Sequence, residues 1–159
     1  MSSAQAVLKL LAARGETLAT CESLTAGAVA ARCADIPGAS AVLRGGLVTY
    51  SAALKSSLAH VDAKLIARYG VVSAECARAM AQGARVVCGS DWSVALTGVA
   101  GPGPADGHPA GDVYIAIAGA GVHTVHSRLY QWRGCDRAEV RRNSVAAAFN
   151  MLHEIVESA

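Results

Sequence analysis

Ser23 is the residue of this chain best placed for nucleophilic chemistry. It lies in the run ESLTAG at residues 22–27, where a β-prone stretch gives way to an alanine-rich helical one. The N–H groups of a first helical turn have no partners within the helix, so they and the helix dipole can stabilise negative charge beside the hydroxyl. The run therefore indicates a candidate acyl-transfer site, although a serine before a helix is more often only an N-cap.

Ser23 needs a base, and a lysine is better placed than a histidine to supply it. The five histidines are scattered without a triad-like context. A neutral lysine in a dry pocket can accept a serine proton. Tyr50 ends a predicted strand and Lys55 follows it in a predicted helix, so both can face one site. Taken alone, the two residues are more typical of a half-buried tyrosine and a surface lysine.

The elements that would position these residues alternate along the chain. Helices are predicted at residues 4–14, 25–34, 51–59, 62–69 and 73–87, and a last one opens with a capping box at Asp136 and Glu139. Strands are predicted at residues 17–21, 41–50, 92–97, 112–118 and 122–132, the last two forming a hairpin. This order predicts an α/β sandwich with a mixed sheet.

Two glycine-containing segments interrupt that pattern. Gly45 and Gly46 break the second strand, where the backbone is expected to bulge or to approach a ligand closely. Residues 98–111 are the part of the chain richest in Gly and Pro, which predicts a long loop. Loops of that length are usually functional.

Composition predicts one domain spanning residues 1–159 and excludes several function classes. The 159 residues are 53% hydrophobic and 4% aromatic, which suits one core of small aliphatic side chains. The net charge of +2 is spread along the chain, so no nucleic-acid partner is predicted. No apolar run reaches the 18 or so residues of a membrane span, and no secretory signal is recognised. Five widely spaced cysteines predict reduced thiols and a cytoplasmic location.

Six blocks of the sequence occur in a recognisable order along nearly the whole chain. They are ESLTAG at 22–27, GLVTYSAALK at 46–55, GVVS at 70–73, TGVAGP at 97–102, PAG at 109–111 and GCDRAEVR at 134–141. Together these blocks resemble the CinA C-terminal domain family, the nicotinamide mononucleotide deamidases. Leu24 and Ala26 depart from the commoner Cys and Gly of the first block, and His108 replaces a common lysine.

The resemblance implies a three-layer α/β/α sandwich with a mixed sheet and a catalytic set of Ser23, Tyr50 and Lys55. Family members hydrolyse the carboxamide of nicotinamide mononucleotide to the acid and release ammonia, with no metal or other cofactor. The implied partners are a small nucleotide substrate and further copies of the chain in a homo-oligomer. Because the first helix begins at about residue 4, we expect a stand-alone domain.

That chemistry suggests which residues bind the substrate. Backbone N–H groups of Thr25, Ala26 and Gly27 are the candidates for the oxyanion hole. The other candidates would contact the remainder of the nucleotide, including its phosphate; they are Gly46, Thr97, Gly98, Gly101, Arg137 and Arg141. For the two arginines, a solvated face of the last helix is an equal expectation.

Three other interpretations remain open at this point. A binding or regulatory module could keep the fold without turnover, which the intact catalytic set argues against. Tyr50 and Lys55 could belong to an oxidoreductase, but such enzymes space the pair four apart, and Gly101-Pro102-Gly103 lacks the dinucleotide-loop spacing. Ser51 could replace Ser23 as nucleophile, because it shares a predicted helix face with Lys55.

Overall fold

The computed structural model describes residues 1–119, 121 and 125–159, and within them five strands form one sheet. The strands are β1 (Leu18–Glu22), β2 (Leu43–Val48), β3 (Trp92–Gly98), β4 (Asp112–Gly119) and β5 (His126–Gln131). Their order in the sheet is β2-β1-β3-β4-β5. Strand β1 pairs in parallel with both β2 and β3, whereas β4 pairs antiparallel with β3 and β5. The predicted mixed sheet is therefore confirmed.

In the described part of the chain, six helices connect or flank these strands. They are α1 (Ser3–Arg14), α2 (Ala28–Ala34), α3 (Ala52–Ser57), α4 (Ala63–Tyr69), α5 (Ala74–Cys88) and α6 (Arg137–Ser158), with a short 3₁₀ helix at Ala39–Ala41. Their ends follow local chemistry, because the Ser73 hydroxyl accepts from the Cys76 N–H at the start of α5. The predicted capping box of Asp136 and Glu139 is present at the start of α6.

Two hydrophobic clusters, one on each face of the sheet, make the three layers of the sandwich. Alternate residues of β3 point to opposite faces, so Val94 and Leu96 join the cluster of α1, α2 and α6, and Ala95 joins that of α5. The inner face of α6 is buried as predicted; it includes Val140, Ala147, Ala148, Met151, Leu152 and Ile155. The three-layer α/β/α prediction is confirmed.

Most predicted elements are found within a few residues of their expected bounds, and the exception lies beside Ser23. The helix predicted from residue 25 begins only at Ala28, so that prediction of its start was wrong. Residues 24–27 form turns instead, with positive φ at Ala26 and Gly27. The predicted bulge in β2 is confirmed, because Leu18 pairs with Leu43 whereas Ala19 pairs with Gly45.

The late hairpin is confirmed by the antiparallel pairing of β4 with β5. The last strand was predicted to begin at residue 122, but residues 122–124 lie outside the described residues. Within the described part of the chain, no helix has the length and apolar content needed to cross a membrane. All five cysteines are free thiols, and Cys21, Cys33 and Cys76 are buried.

Gly83 provides the first prediction, because a side chain there would separate α5 from the Lys55-bearing helix α3. A Cβ atom on Gly83 would overlap the carbonyl oxygen of Ala59, just beyond α3. We expect Gly83→Ala to lower the free energy of unfolding by about 1 to 3 kcal/mol, despite the better helix propensity of alanine. Urea unfolding measures this. Gly103→Ala is the control, since its Cβ would meet no atom within 4 Å; equal stability of both variants would contradict the packing argument.

Candidate active site

A cleft of about 520 Å³ opens where β1, β2 and β3 end. These strands run in parallel, so their carboxyl ends and following loops converge at one edge of the sheet. We call it the Ser23 cleft. Its lining includes seven residues predicted as site residues, namely Ser23, Tyr50, Lys55, Thr97, Gly98, Gly101 and Arg137.

Lys55 and Ser23 contact each other within the cleft. Lys55 Nζ lies 3.1 Å from Ser23 Oγ and 2.8 Å from the carbonyl oxygen of Thr49. Only 2% of Lys55 is exposed to solvent. The alternative nucleophile Ser51 instead caps α3, where its Oγ accepts from the Leu54 N–H at 3.2 Å. The lysine amine therefore contacts Ser23, and the Ser51 hydroxyl caps the helix.

Burial lowers the pKa of Lys55 below its usual 10.5, because few solvent molecules reach the ammonium ion. The thiolate forms of Cys76 and Cys21 and the Asp106 carboxylate oppose this change and raise the pKa of Lys55. The carbonyl of Thr49 accepts a hydrogen bond from the amine in either charge state. The environment of Lys55 thus favours a neutral amine more than water does, which is the state that accepts a proton.

The loop that carries Ser23 is fixed by a buried carboxylate. Glu22 is fully buried at the end of β1, and its two oxygens accept from the backbone N–H groups of Val29 at 2.8 Å and Ala30 at 3.1 Å. Glu22 therefore fills the anion-binding position at the start of α2 that the sequence suggested for substrate. The first helical turn orients the loop and is not open to the cleft.

Arg141 also holds the loop that carries Ser23. Its guanidinium donates to the carbonyl of Leu24 at 3.0 Å and to that of Thr25 at 3.3 Å. Arg141 does not line the cleft, and neither do Thr25, Ala26 and Gly27. The Ala26 N–H donates to the Ser23 carbonyl at 3.0 Å, within the turn. Ala26 has a φ of 50°, in the left-handed region that glycine adopts more readily than alanine, so the backbone of this turn is strained at Ala26.

Tyr50 and Arg137 form the opposite wall. Arg137 Nη2 donates to Tyr50 Oη at 3.0 Å, and its Nη1 donates to the Gly101 carbonyl at 2.7 Å. Tyr50 is 55% exposed, and among the described residues its hydroxyl bonds neither Ser23 nor Lys55. Tyr50 is thus placed at the rim, and within the described residues the side chain that hydrogen-bonds the Ser23 hydroxyl is that of Lys55.

Thr97 and the glycines shape the upper edge of the cleft. Thr97 Oγ1 donates to the Val71 carbonyl at 2.7 Å, which joins the end of β3 to residues 70–73. A Cβ on Gly98 would approach Val113 on β4 too closely. Gly46, by contrast, does not line the cleft. A Cβ at Gly46 would collide with Thr20 Oγ1 and crowd Ala30 of α2. Its small size serves packing between β2 and α2.

The sequence reasoning did not single out Glu22 or Asp106. Glu22 could have been recognised as an acidic residue that directly follows a run of strand-forming residues and precedes a helix. Asp106 lines the Ser23 cleft from the long loop and has a φ of 51°. Its signal is the dipeptide Asp106-Gly107, which is typical of turns with left-handed backbone.

The thiols and acids near Lys55 do not gather into a metal site. Among the residues that the structure describes, no three His, Cys, Asp or Glu side chains lie close enough together to hold a metal ion. Burial raises the pKa of the Cys21 thiol and that of the Cys76 thiol to about 11 each. Both are therefore protonated at neutral pH, which makes them weak ligands and weak nucleophiles.

The fold and the cleft define a mixed-sheet α/β/α protein in which a serine and a buried lysine meet at the carboxyl ends of parallel strands. The model of the CinA C-terminal domain matches residues 1–156, and the chain belongs to that family. A CinA-like protein from Anaeromyxobacter dehalogenans is 47% identical over 148 residues, which are 92% of this chain and 35% of the relative. A CinA-like protein from Frankia casuarinae is 42% identical over 151 residues, or 94% of this chain and 34% of the relative.

Solved structures of similar length share the whole fold. A competence-damaged protein (CinA) superfamily protein from Klebsiella pneumoniae has a TM-score of 0.93 and 32% identity, covering 99% of this chain and 97% of that one. A CinA superfamily protein from Escherichia coli has a TM-score of 0.91 and 30% identity, covering 96% and 88%. The chain spans about a third of the length of the curated relatives it matches, at 34% to 36% of each.

Lys55→Met tests the cost of burying the lysine charge. Since the folded state lowers the pKa of Lys55, the unfolded chain holds more protons between that pKa and 10.5. The burial cost is therefore full at low pH, shrinks as pH rises through this window and is absent above it. We expect Lys55→Met to be more stable than the wild type at neutral pH, with a difference that narrows as pH approaches 10.5.

Urea unfolding of both proteins at several pH values measures this difference. Lys9→Met is the matched control, because Lys9 is exposed on α1 and its replacement removes a lysine charge that is not buried. A Lys55→Met difference that stays constant or widens with pH would show that burial does not depress the pKa of the amine.

Proposed function

We propose that this protein hydrolyses the carboxamide of nicotinamide mononucleotide to nicotinate mononucleotide and ammonia through an acyl-enzyme on Ser23. The single observation that carries the proposal is the 3.1 Å contact between the buried Lys55 amine and the Ser23 hydroxyl. Membership of the CinA C-terminal domain family supports the choice of substrate. The cleft volume of about 520 Å³ falls within the range of small-molecule sites.

The proposed reaction begins with the neutral Lys55 amine. Lys55 accepts the Ser23 proton as the oxygen attacks the carboxamide carbon, and the carbonyl π electrons move onto oxygen. The tetrahedral intermediate collapses, the C–N bond breaks, and the nitrogen takes the proton from the Lys55 ammonium to leave as ammonia. Water then gives a proton to Lys55 and attacks the ester, and the returning proton frees Ser23. The direct 3.1 Å contact supports a relay without Tyr50.

The oxyanion is proposed to be stabilised by the N–H of Leu24, the residue after the nucleophile, as in other serine acyl-transfer sites. The N–H groups of Leu24 and Thr25 donate no hydrogen bond within the described residues, which leaves them available. Leu24 also lines the cleft. Arg141, which holds the carbonyls of both residues, is then proposed to position this loop and not to touch substrate.

The nucleotide phosphate is proposed to lie against Arg137 and Tyr50 at the rim. Arg137 is a cation whose planar guanidinium suits phosphate oxygens. Its present partners are the Gly101 carbonyl and the Tyr50 hydroxyl, both neutral groups, so its charge is not neutralised within the cleft wall. Thr97 and Gly98 are proposed to contact the ribose or the ring from the end of β3.

We further propose a cytoplasmic homo-oligomer that works in pyridine nucleotide salvage. The free thiols of all five cysteines suit a reducing compartment. Nucleic acid is not proposed as a partner, because the net charge is only +2.

The nucleophile is tested by ammonia release from nicotinamide mononucleotide in the presence of a chelator. We expect the wild type to release ammonia and Ser23→Ala to lose at least about a thousandfold in kcat, because no other hydroxyl contacts Lys55 within the described residues. Ser51→Ala should keep most activity and lose about 1 kcal/mol of stability, as expected for a helix N-cap. Loss of turnover in Ser51→Ala but not in Ser23→Ala would contradict the acyl-enzyme at Ser23. A folded wild type that binds the nucleotide without turnover would instead support a binding module.

The two arginines give a matched pair for the phosphate. Arg137→Gln should raise KM for nicotinamide mononucleotide about tenfold, and much less for nicotinamide riboside, which lacks the phosphate. Arg141→Gln should change the two KM values little and equally, because Arg141 bonds loop carbonyls outside the cleft. Steady-state kinetics with both substrates separates the roles, and a phosphate-dependent effect at Arg141 alone would reverse the assignment.

A further inference from the structure

Asp106 gives the Ser23 cleft a negative charge that the proposed chemistry does not use. Among the described residues that line the cleft, Asp106 is the one acidic side chain, and Lys55 and Arg137 are the basic ones. The Lys55 amine is hydrogen-bonded to Ser23, and the Arg137 guanidinium is hydrogen-bonded to Tyr50 at the rim. A carboxylate in the same cleft favours a ligand that has a cationic or hydrogen-bond-donating group.

The proposed substrate carries such a cation. In nicotinamide mononucleotide the ring nitrogen is bonded to ribose, so the ring is a pyridinium ion with its positive charge in the same ring as the reacting carboxamide. We propose that Asp106 is the counter-ion of this pyridinium ring and that the cleft thereby selects oxidised nicotinamide over its neutral, reduced form. This inference rests on the proposed function and adds the charge of the substrate that the site requires.

The loop holds Asp106 in a defined position. Ala105 and His108 exchange two backbone hydrogen bonds, of 3.0 and 2.9 Å, which close a tight turn around Asp106 and Gly107. His108 Nδ1 lies 3.1 Å from the buried carboxylate of Asp112, which ties the turn to the start of β4. The φ of 51° at Asp106 is one that Asp and Asn tolerate better than most residues. The carboxylate is thus presented by a braced turn.

Asp106 also acts electrostatically on the base. Its negative charge raises the pKa of Lys55 and so opposes the neutral amine needed for catalysis. A bound pyridinium ion would offset that charge and would itself disfavour a second cation on Lys55. Substrate binding at Asp106 would therefore help to deprotonate the base, which a neutral ring could not do.

The test compares oxidised and reduced nicotinamide mononucleotide, which differ in ring charge but share the carboxamide, ribose and phosphate. Binding is measured by calorimetry in the Ser23→Ala background, alone and with Asp106→Asn. Asparagine matches the shape of aspartate and accepts the same φ, so the turn is kept. Asp35→Asn is the control for loss of one charge, because Asp35 is exposed at the end of α2 outside the cleft.

We expect Ser23→Ala to bind the oxidised nucleotide more tightly than the reduced one. Asp106→Asn should weaken binding of the oxidised form about two- to fivefold, a modest effect because Asp106 is exposed, and leave the reduced form unchanged. In the enzyme that keeps Ser23, Asp106→Asn should also move the acidic limb of kcat/KM to lower pH, since it removes a charge that raises the pKa of Lys55. Asp35→Asn should change neither the affinity for the two nucleotides nor the pH profile of kcat/KM.

Equal weakening of both nucleotides would assign Asp106 to the ribose and overturn the inference, and so would an unchanged affinity for the oxidised form. These outcomes are separate from failure of the proposed function. If the wild type released no ammonia while the charge-dependent binding persisted, the deamidase reaction would be wrong and the pyridinium site would stand. If the wild type released ammonia but Ser23→Ala bound both forms equally, the deamidase reaction would stand and the pyridinium site would be wrong.

Discussion

The burial of one amine beside one hydroxyl is the constraint around which this fold is arranged. A lysine that is 2% exposed loses most of its hydration, and few contacts compensate for that loss. The Thr49 carbonyl and the Ser23 hydroxyl are the hydrogen-bond partners of the amine. The backbone of Lys55 is held as well, because its N–H donates to the Ser51 carbonyl and its carbonyl accepts from the Val61 N–H. Burial of Lys55 therefore lowers the stability of the fold, and the proposed chemistry explains why this cost would be kept, because its base must be neutral.

The sheet topology brings these groups together. Ser23, Thr49 and Thr97 lie at or just beyond the carboxyl ends of three adjacent parallel strands, so residues distant in sequence meet at one edge. The Glu22 carboxylate and the Arg141 guanidinium then fix the Ser23 loop through hydrogen bonds to its backbone and to the start of α2. The geometry of the Ser23–Lys55 contact is therefore built by the parallel half of the sheet and by the first turn of α2.

The sequence predicted the architecture well because its signals are local and strong. Periodic apolar residues in α6, the Asp136 capping box and the glycine-rich loop each have one physical interpretation. The predicted start of α2 was wrong because the prediction rested on the high helix propensity of the Ala-rich run. The hydrogen bonds from Val29 and Ala30 to the Glu22 carboxylate fix a later start. Arg141 and Gly46 could not be assigned from sequence, since their distance from the cleft depends on how α6 and α2 pack.

The proposed hydrolysis depends on a neutral Lys55, and a direct titration of its amine is the most decisive measurement. The chain has only three lysines, and Lys9 and Lys64 are exposed, so carbon-13 NMR of labelled lysine side chains resolves Lys55 against two internal references. Our account requires the Lys55 amine to titrate below 10.5. A Lys55 amine that titrates at 10.5 or at higher pH would contradict the neutral base and the mechanism built on it.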